Sequence, residues 1–282
     1  MSQEAPPLTS DEWKKIAYDP NPPEMPDDTK KLFETYSQIR PEQVLSHVID
    51  IRERAFQAHP YPCLGHWRFL HLAIGRHPLY AEVLRRMRTG DQILLDLGCA
   101  VAQDIRRLVA DGVDSSKCYG SDLLLEFLDL GYELFNDKET LKTHFIEADI
   151  FDEDSELNQL NHKVDIINAS SFFHLFGWEQ QKQIARRCTK LLTGRKDNLI
   201  IGRQVGNDES GEVPKRDGQG ARFRHNIESW RRMWKEVGQE TGIDLLVEGQ
   251  FTDMKGIMPG AGRHFGREEG TKMMVFSVRR II

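Results

Sequence analysis

Four polar side chains of the kinds that bind cofactors accompany short apolar runs in this 282-residue chain. Asp96 lies in such a run just before Gly98, and Asp122, Asp149 and Asn168 come at the ends of the runs that follow. Carboxylates and amides in these places can accept hydrogen bonds from ribose hydroxyls, an adenine amino group or an ammonium group. A single aspartate there is often only a turn former, but four in succession indicate a binding crevice.

The turn after Asp96 indicates the class of cofactor. Gly98 permits a tight turn and a close approach of ligand to backbone, and the helix predicted after it aims free N–H groups at the same place. A dinucleotide fingerprint needs three glycines and a Walker loop needs a lysine, so the turn disfavours both and leaves a dehydrogenase as a remote alternative. The Asp96 carboxylate would repel a pyrophosphate but suits a cationic amino-acid group, which favours S-adenosylmethionine.

Each polar residue then receives a predicted role in holding that cofactor. Asp122 would accept from the ribose hydroxyls, Asp149 from the adenine amino group, and Asn168 would lie where the methyl-bearing sulfur sits. The full predicted set of cofactor contacts is Asp96, Gly98, Asp122, Leu123, Asp149, Ile150 and Asn168.

His174 is the predicted catalytic residue, because it follows the fourth predicted strand among aromatic side chains that could hold an apolar substrate. It could orient a carboxylate, which is already ionised with a pKa of about 4 and needs no base, or take the proton of a phenol, whose pKa is about 10. A histidine satisfied within an aromatic core is the competing interpretation. The aromatic neighbours are Phe172, Phe173, Phe176 and Trp178.

Other residues are predicted to contact the substrate. Arg203 follows the fifth predicted strand and could face the crevice, whereas Tyr61 and Trp67 belong to an N-terminal extension that could form a lid. With Phe173 they complete the predicted substrate-binding set. The histidines lack the spacing of metal ligands, so no metal site is predicted.

Strands alternate with helices from residue 92 onward, which predicts an α/β fold with a doubly wound, Rossmann-like and mostly parallel sheet of seven strands. The last two strands have no helix between them, which predicts an antiparallel pairing at the sheet edge. Residues 1–90 are predicted to be a proline-rich arm and a helical extension rather than an independent domain, and residues 91–282 the cofactor-binding domain. Two long glycine-rich stretches, 205–224 and 256–270, are candidate functional loops.

Bulk composition restricts the partners and the compartment. A net charge of −6 disfavours nucleic acid as a partner. No apolar run approaches the roughly 20 residues that span a bilayer, so membrane insertion is not expected. Four widely spaced cysteines and no secretory signal favour free thiols in the cytoplasm. The partner expected is a small-molecule acid or phenol, and a homodimer is compatible with the sequence.

Several motifs resemble those of class I S-adenosylmethionine-dependent methyltransferases, and in particular fungal methyltransferases of meroterpenoid biosynthesis. The resemblance extends over about residues 41–278. The motifs are Tyr61-Pro62-Cys63-Leu64-Gly65, Asp96 to Leu108, Gly120-Ser121-Asp122-Leu123, Asp129 to Phe135, Ala148 to Asp152, Ser171 to Phe176 and Arg224-His225-Asn226.

The resemblance implies methylation of the carboxyl group of a farnesylated aromatic polyketide acid. The chain departs from the family at Ala102, where glycine is usual, and an added methyl group there could crowd the cofactor. Ala102 leaves open a protein that binds the cofactor without transferring its methyl group, and the unidentified acceptor leaves open a phenol O- or C-methyltransferase.

Overall fold

The computed structural model describes residues 9–215, 220–252 and 269–282. Its α-helices are α1 (Ser10–Ile16), α2 (Asp27–Lys31), α3 (Pro41–Ala58), α4 (Pro62–Gly65), α5 (Tyr80–Thr89), α6 (Gln103–Ala110), α7 (Leu125–Phe135), α8 (Trp178–Leu191) and α9 (Ile227–Thr241). Its strands are β1 (Leu94–Leu97), β2 (Cys118–Asp122), β3 (His144–Glu147), β4 (Ile166–Asn168), β5 (Leu199–Asn207), β6 (Gly211–Pro214), β7 (Ala221–Arg224), β8 (Leu245–Thr252) and β9 (Thr271–Arg280).

Seven strands form one sheet in the order β3-β2-β1-β4-β5-β9-β8. Strands β1 to β5 run parallel to one another, whereas β9 is antiparallel to both β5 and β8. Strands β1 and β4 are buried at every position, as expected of parallel strands covered on both faces. The predicted α/β fold and the antiparallel pairing at the sheet edge are confirmed.

Helices cover both faces of the sheet. On one face α8 and α9 pack on the strands through side chains such as Ile184 and Trp230. On the other, α5 and α6 do so through Val83 and Ile105. The outward faces of these helices are polar, and no helix among the described residues has the length and apolarity to cross a bilayer.

The N-terminal helices share a core with the sheet domain rather than forming one of their own. Phe33 stacks on Phe135 of α7 with ring centroids 5.3 Å apart, and Val48 of α3 belongs to the same cluster as Phe127. The proline-rich stretch predicted to be an arm also contributes, since Thr29 is buried and its hydroxyl donates to the carbonyl of Leu70 at 2.6 Å.

The sequence predicts a loop over the stretch 205–224, but most of its described residues lie in strands. The long strand β9 offers backbone partners as far as the pair Asn207–Thr271, so β5 continues through a polar segment that carries no apolar pattern. Strands β6 and β7 then pair with each other in antiparallel fashion. The other predicted loop, 256–270, lies outside the described residues up to residue 268.

Candidate active site

The turn after β1 places three alternate residues in left-handed backbone conformations. Gly98, Ala100 and Ala102 have φ angles of 69°, 50° and 51°. A β-carbon on Gly98 would overlap the ring of Phe172, so glycine is needed there for space as well as for conformation. Alanine costs about 1–2 kcal/mol in this region. Residues 98–102 are called the cofactor loop after their predicted role, and their surroundings must hold them in this conformation.

Asp122, the last residue of β2, connects the cofactor loop to the neighbouring strand. Its carboxylate accepts hydrogen bonds from the backbone N–H groups of Ala100 (2.7 Å) and Leu123 (2.9 Å). Burial raises the pKa of Asp122, and these donors oppose the shift because they favour the charged form. The carboxylate predicted to bind ribose therefore lies against the loop predicted to hold the cofactor.

The N-terminal extension packs beside Asp122. The ring of Tyr61 lies 4.0 Å from that of His59 and 5.7 Å from that of Phe127, centroid to centroid. Burial and then the charge of Asp122 raise the pKa of Tyr61 to about 12. The structure thus brings Tyr61, predicted to contact the substrate, near Asp122, predicted to bind the cofactor.

Two buried carboxylates share one amide where β1 and β4 end. Asn168 Nδ2 donates to Asp96 Oδ1 (2.7 Å) and to Asp104 Oδ2 (3.4 Å). Asp104 also accepts from the backbone N–H of Ile74 at 3.2 Å. Burial raises the pKa of both carboxyls, that of Asp104 to about 6, and the charge of Asp104 adds to the shift at Asp96. A bound cation would relieve this repulsion.

The predicted adenine contacts lie at the same edge of the sheet, since β2 and β3 are parallel neighbours. Asp149 follows β3, is exposed, and accepts a hydrogen bond from the N–H of Phe151 at 2.9 Å. Ile150 is buried in the core, whereas Leu123 leaves 53% of its surface exposed. Leu123 therefore offers an apolar surface for a purine ring.

Arg203 brings a buried positive charge to this edge of the sheet. Its side chain is 7% exposed, its Nη2 lies 3.5 Å from the carbonyl oxygen of His71, and its Nε has no hydrogen-bond partner within the described ranges. Burial lowers the pKa of Arg203 to about 10, and the charge of Asp104 opposes that shift. A buried guanidinium with an available N–H is suited to an anionic ligand.

His174, in the 3-10 turn Phe173–Leu175, lies in cationic surroundings. It is buried, and its Nδ1 has no hydrogen-bond partner in the part of the chain that the structure describes. Burial and then four arginines lower the pKa of His174 well below its usual value, so it is neutral at physiological pH and a weak base. The arginines are Arg224, Arg222, Arg68 and Arg203.

The other two predicted substrate contacts, Trp67 and Phe173, are enclosed by the protein. The indole N–H of Trp67 donates to the carbonyl of Asp19 at 3.0 Å, and its ring stacks against the Arg52 guanidinium. Phe173 is fully buried and contacts Trp230 edge-on at 5.2 Å. Both side chains are therefore enclosed by protein contacts, and their role in substrate binding stays a prediction.

Sequence reasoning missed two charged residues of this region, Asp104 and Arg68. Asp104 lies in the first turn of α6, where an acidic residue is common, so its residue type did not indicate a contact with Asn168. Arg68 begins the 3-10 turn Arg68–Leu70, which follows Trp67 in a left-handed backbone conformation (φ 60°). The surrounding sequence has no hydrophobic periodicity that would predict this turn. The tryptophan's unusual conformation cannot be read from its residue type.

Comparison with known proteins gives the family. The profile of the meroterpenoid methyltransferase N-terminal domain matches residues 17–70. The O-methyltransferase atr3 of Stereocaulon alpinum is 40% identical over 270 residues, which are 94% of this chain and 75% of that protein. The Asnovolin E/Chermesin D methyltransferase nvfJ of Aspergillus novofumigatus is 41% identical over 220 residues, 78% of this chain and 79% of that protein.

The chain belongs to this methyltransferase family. The prediction of a methyltransferase related to enzymes of fungal secondary metabolism is therefore confirmed. The methyltransferase also shares its fold with the phospholethanolamine N-methyltransferase 2 of Haemonchus contortus, solved with phosphomonomethylethanolamine and S-adenosylhomocysteine. The TM-score is 0.53 at 11% identity, over 90% of this chain and 60% of that one.

S-adenosylmethionine fits both the family and the residues at the edge of the sheet. The methyltransferase places the paired carboxylates of Asp96 and Asp104 where they would attract the ammonium and sulfonium charges of that molecule. Asp122 and the exposed Leu123 lie one strand further, where the nucleoside part would extend. The chemistry of the donor set therefore suits this cofactor.

Proposed function

We propose that this enzyme esterifies the carboxyl group of an apolar aromatic acid, a meroterpenoid intermediate, with the methyl group of S-adenosylmethionine. The single observation that carries the proposal is the buried guanidinium of Arg203, whose Nε has no acceptor among the described residues. An ionised carboxylate would supply that acceptor, and its charge would make it a stronger partner than a neutral phenol.

The protonation state of His174 supports the same choice of acceptor. A phenol with a pKa of about 10 would need a general base whose own pKa lies near the working pH. Burial and the surrounding arginines hold the pKa of His174 far below that range, so it would be a poor base. A carboxylate needs no base, and neutral His174 could still donate a hydrogen bond to it.

Methyl transfer of this kind depends on alignment more than on acid–base chemistry. When bound, S-adenosylmethionine supplies a methyl group on a positively charged sulfur. Asp96 and Asp104 would hold the cationic end of the cofactor, and Arg203 would orient the acceptor oxygen in line with the methyl carbon. Phe172, packed over Gly98, would help to exclude water between them.

The reducing compartment predicted from the cysteines remains part of the proposal. All four cysteines lie among the described residues and none forms a disulfide. Free thiols are the usual state in the cytoplasm.

Labelled S-adenosylmethionine tests the function directly. The protein is incubated with a panel of aromatic acids, with and without a prenyl chain, and with the corresponding phenols. We expect label in a methyl ester that mild base hydrolyses. Label in a base-stable ether or on carbon would select the phenol or carbon methyltransferase, and binding of S-adenosylhomocysteine without any transfer would select a protein that only binds the cofactor.

A further inference from the structure

Arg106 is fully buried and contacts the backbone of the cofactor loop. Its Nη1 donates to the carbonyl oxygens of Val101 (3.0 Å) and Ala102 (3.5 Å). These two carbonyls belong to the segment that contains alanine in left-handed conformations. Arg106 therefore holds the loop from its buried side. It does so next to Ala100 and Ala102, which adopt left-handed conformations that alanine disfavours.

The other side of the Arg106 guanidinium is held by an ion pair. Nε and Nη2 donate to the two carboxylate oxygens of Asp137 at 2.9 and 3.0 Å, a bidentate geometry that fixes the plane of the guanidinium. Asp137 is 3% exposed and follows α7. That helix approaches so closely that a β-carbon on Gly131 would lie 2.7 Å from the Val101 carbonyl oxygen.

The N-terminal region completes this arrangement through Tyr36. Its hydroxyl donates to Asp137 Oδ2 at 2.8 Å, the same oxygen that accepts from Arg106 Nε. Tyr36 ends the π-helical turn Leu32–Tyr36, within the region that packs beside the sheet domain. A continuous chain of hydrogen bonds thus joins Tyr36, Asp137 and Arg106 to the cofactor loop.

We propose that Arg106 is a positioning residue for cofactor binding, and that Tyr36 of the N-terminal region keeps it in place through Asp137. The inference rests on the proposed function only in taking S-adenosylmethionine to bind at residues 98–102. The N-terminal region would then contribute to cofactor affinity without touching the cofactor at this point.

A second connection between the N-terminal region and α7 provides a matched control. Arg54 of α3 donates to both carboxylate oxygens of Glu133 at 2.6 and 2.8 Å, but this pair is exposed and has no contact with Arg106. Tyr36→Phe and Glu133→Gln each weaken one polar link across the same boundary. Only the first should alter the cofactor loop.

The experiment measures S-adenosylhomocysteine affinity by calorimetry, the melting temperature, and the KM for S-adenosylmethionine against kcat. For Tyr36→Phe we expect a dissociation constant raised about three- to tenfold, the effect of one hydrogen bond, with kcat at saturating cofactor unchanged. Glu133→Gln should bind as the wild type does. Arg106→Lys should weaken binding further, and if it does not fold, the first two variants decide the matter.

Two results would overturn the inference, and they differ in what else they affect. Wild-type affinity in Tyr36→Phe, with or without a lower melting temperature, would show that the chain of hydrogen bonds is only structural and would leave the proposed function standing. Wild-type protein that binds no S-adenosylhomocysteine would overturn the proposed function together with this inference.

Discussion

Arg203 and Asp104 carry opposite charges at the same buried edge of the sheet, and each would control a different ligand. The charge of Asp104 acts on Arg203, while Asp104 itself is in hydrogen-bond contact with Asn168 on the cofactor side. The two residues therefore lie at the boundary between the proposed acceptor and the proposed cofactor. Substitutions at each should affect the two ligands separately.

Replacing Arg203 with methionine should reduce kcat/KM for the acceptor by about 100-fold, because a buried carboxylate would lose its charged partner. The S-adenosylhomocysteine dissociation constant should change much less, and it is measured at pH 8 because loss of the Arg203 charge raises the pKa of Asp104. Arg187→Met is the control: Arg187 is also buried with an Nε that lacks a described partner, but it lies late in α8, towards the edge where Leu192 bridges Val164. Equal losses in both variants would contradict the assigned role of Arg203.

Cofactor affinity should depend on pH through Asp104. Its pKa is raised to about 6, so the protonated form prevails below that value and cannot attract a cation. We expect S-adenosylhomocysteine to bind about tenfold more weakly at pH 5 than at pH 8, as linkage requires for a carboxylate ionised to about one part in ten at pH 5. Calorimetry measures this, and Asp104→Asn should reduce the dependence to the part that Asp96 contributes. Equal affinity at the two pH values would refute it.

The raised pKa of Asp104 also affects the free energy of unfolding. A rise in pH, which should strengthen cofactor binding, should weaken the contribution of Asp104 to stability. The unfolded value of an aspartate is about 3.9, so the folded protein binds the proton more tightly than the unfolded chain does. The contribution of Asp104 to stability is therefore fully present below about pH 4 and is lost as the pH rises through about 6. The charges that suit the cofactor thus oppose folding near neutral pH.

The strand–turn–helix element formed by β1, residues 98–102 and α6 contains strain that a single substitution can remove. Ala102→Gly should raise the melting temperature by about 1–3 °C, because relief of the left-handed alanine exceeds the added entropy of glycine in the unfolded chain. Ala110→Gly, at the last residue of α6, should instead lower the melting temperature, because glycine disfavours the right-handed helical conformation. Scanning calorimetry of both variants gives the comparison, and destabilisation by Ala102→Gly would contradict the argument.

Helices and strands could be predicted from the sequence wherever a hydrophobic pattern determines them. The proline at position 41 and the apolar stripe that follows predict α3, and the structure has Pro41–Ala58. Asn226 precedes α9, and its side-chain oxygen accepts a hydrogen bond from the N–H of Ser229. The polar half of β5 could not be predicted, because it is a strand only through its pairing with β9, far away in the chain.

The edge of the sheet where the predicted site lies could be predicted for a similar reason. Asp96, Asp122 and Asn168 come at or near the ends of parallel strands, which must meet at one edge. Local pattern could not show that Arg203 faces His71, nor that Asp104 approaches Asn168. Those proximities arise from how the N-terminal extension and α6 pack against the sheet.

The whole molecule should unfold as one unit, because the N-terminal helices and α7 share a core. Phe33→Ala should destabilise the protein by about 3–5 kcal/mol and shift its entire unfolding transition. Leu45→Ala, at a 47% exposed position of α3, should change stability by no more than about 0.5 kcal/mol. Denaturant unfolding followed by fluorescence and by circular dichroism measures this. Two separate transitions would show that the N-terminal region folds independently.

The position of β9 between β5 and β8 has a consequence for synthesis on the ribosome. Strand β8 emerges before β9 but pairs with no other strand in the described part of the sheet, and β5 lacks its neighbour on that side until residues 271–280 have been translated. A nascent chain therefore carries two exposed strand edges until β9 has emerged, and such edges are prone to aggregate. We expect the nascent chain to need chaperones most in the interval between the emergence of β8 and that of β9.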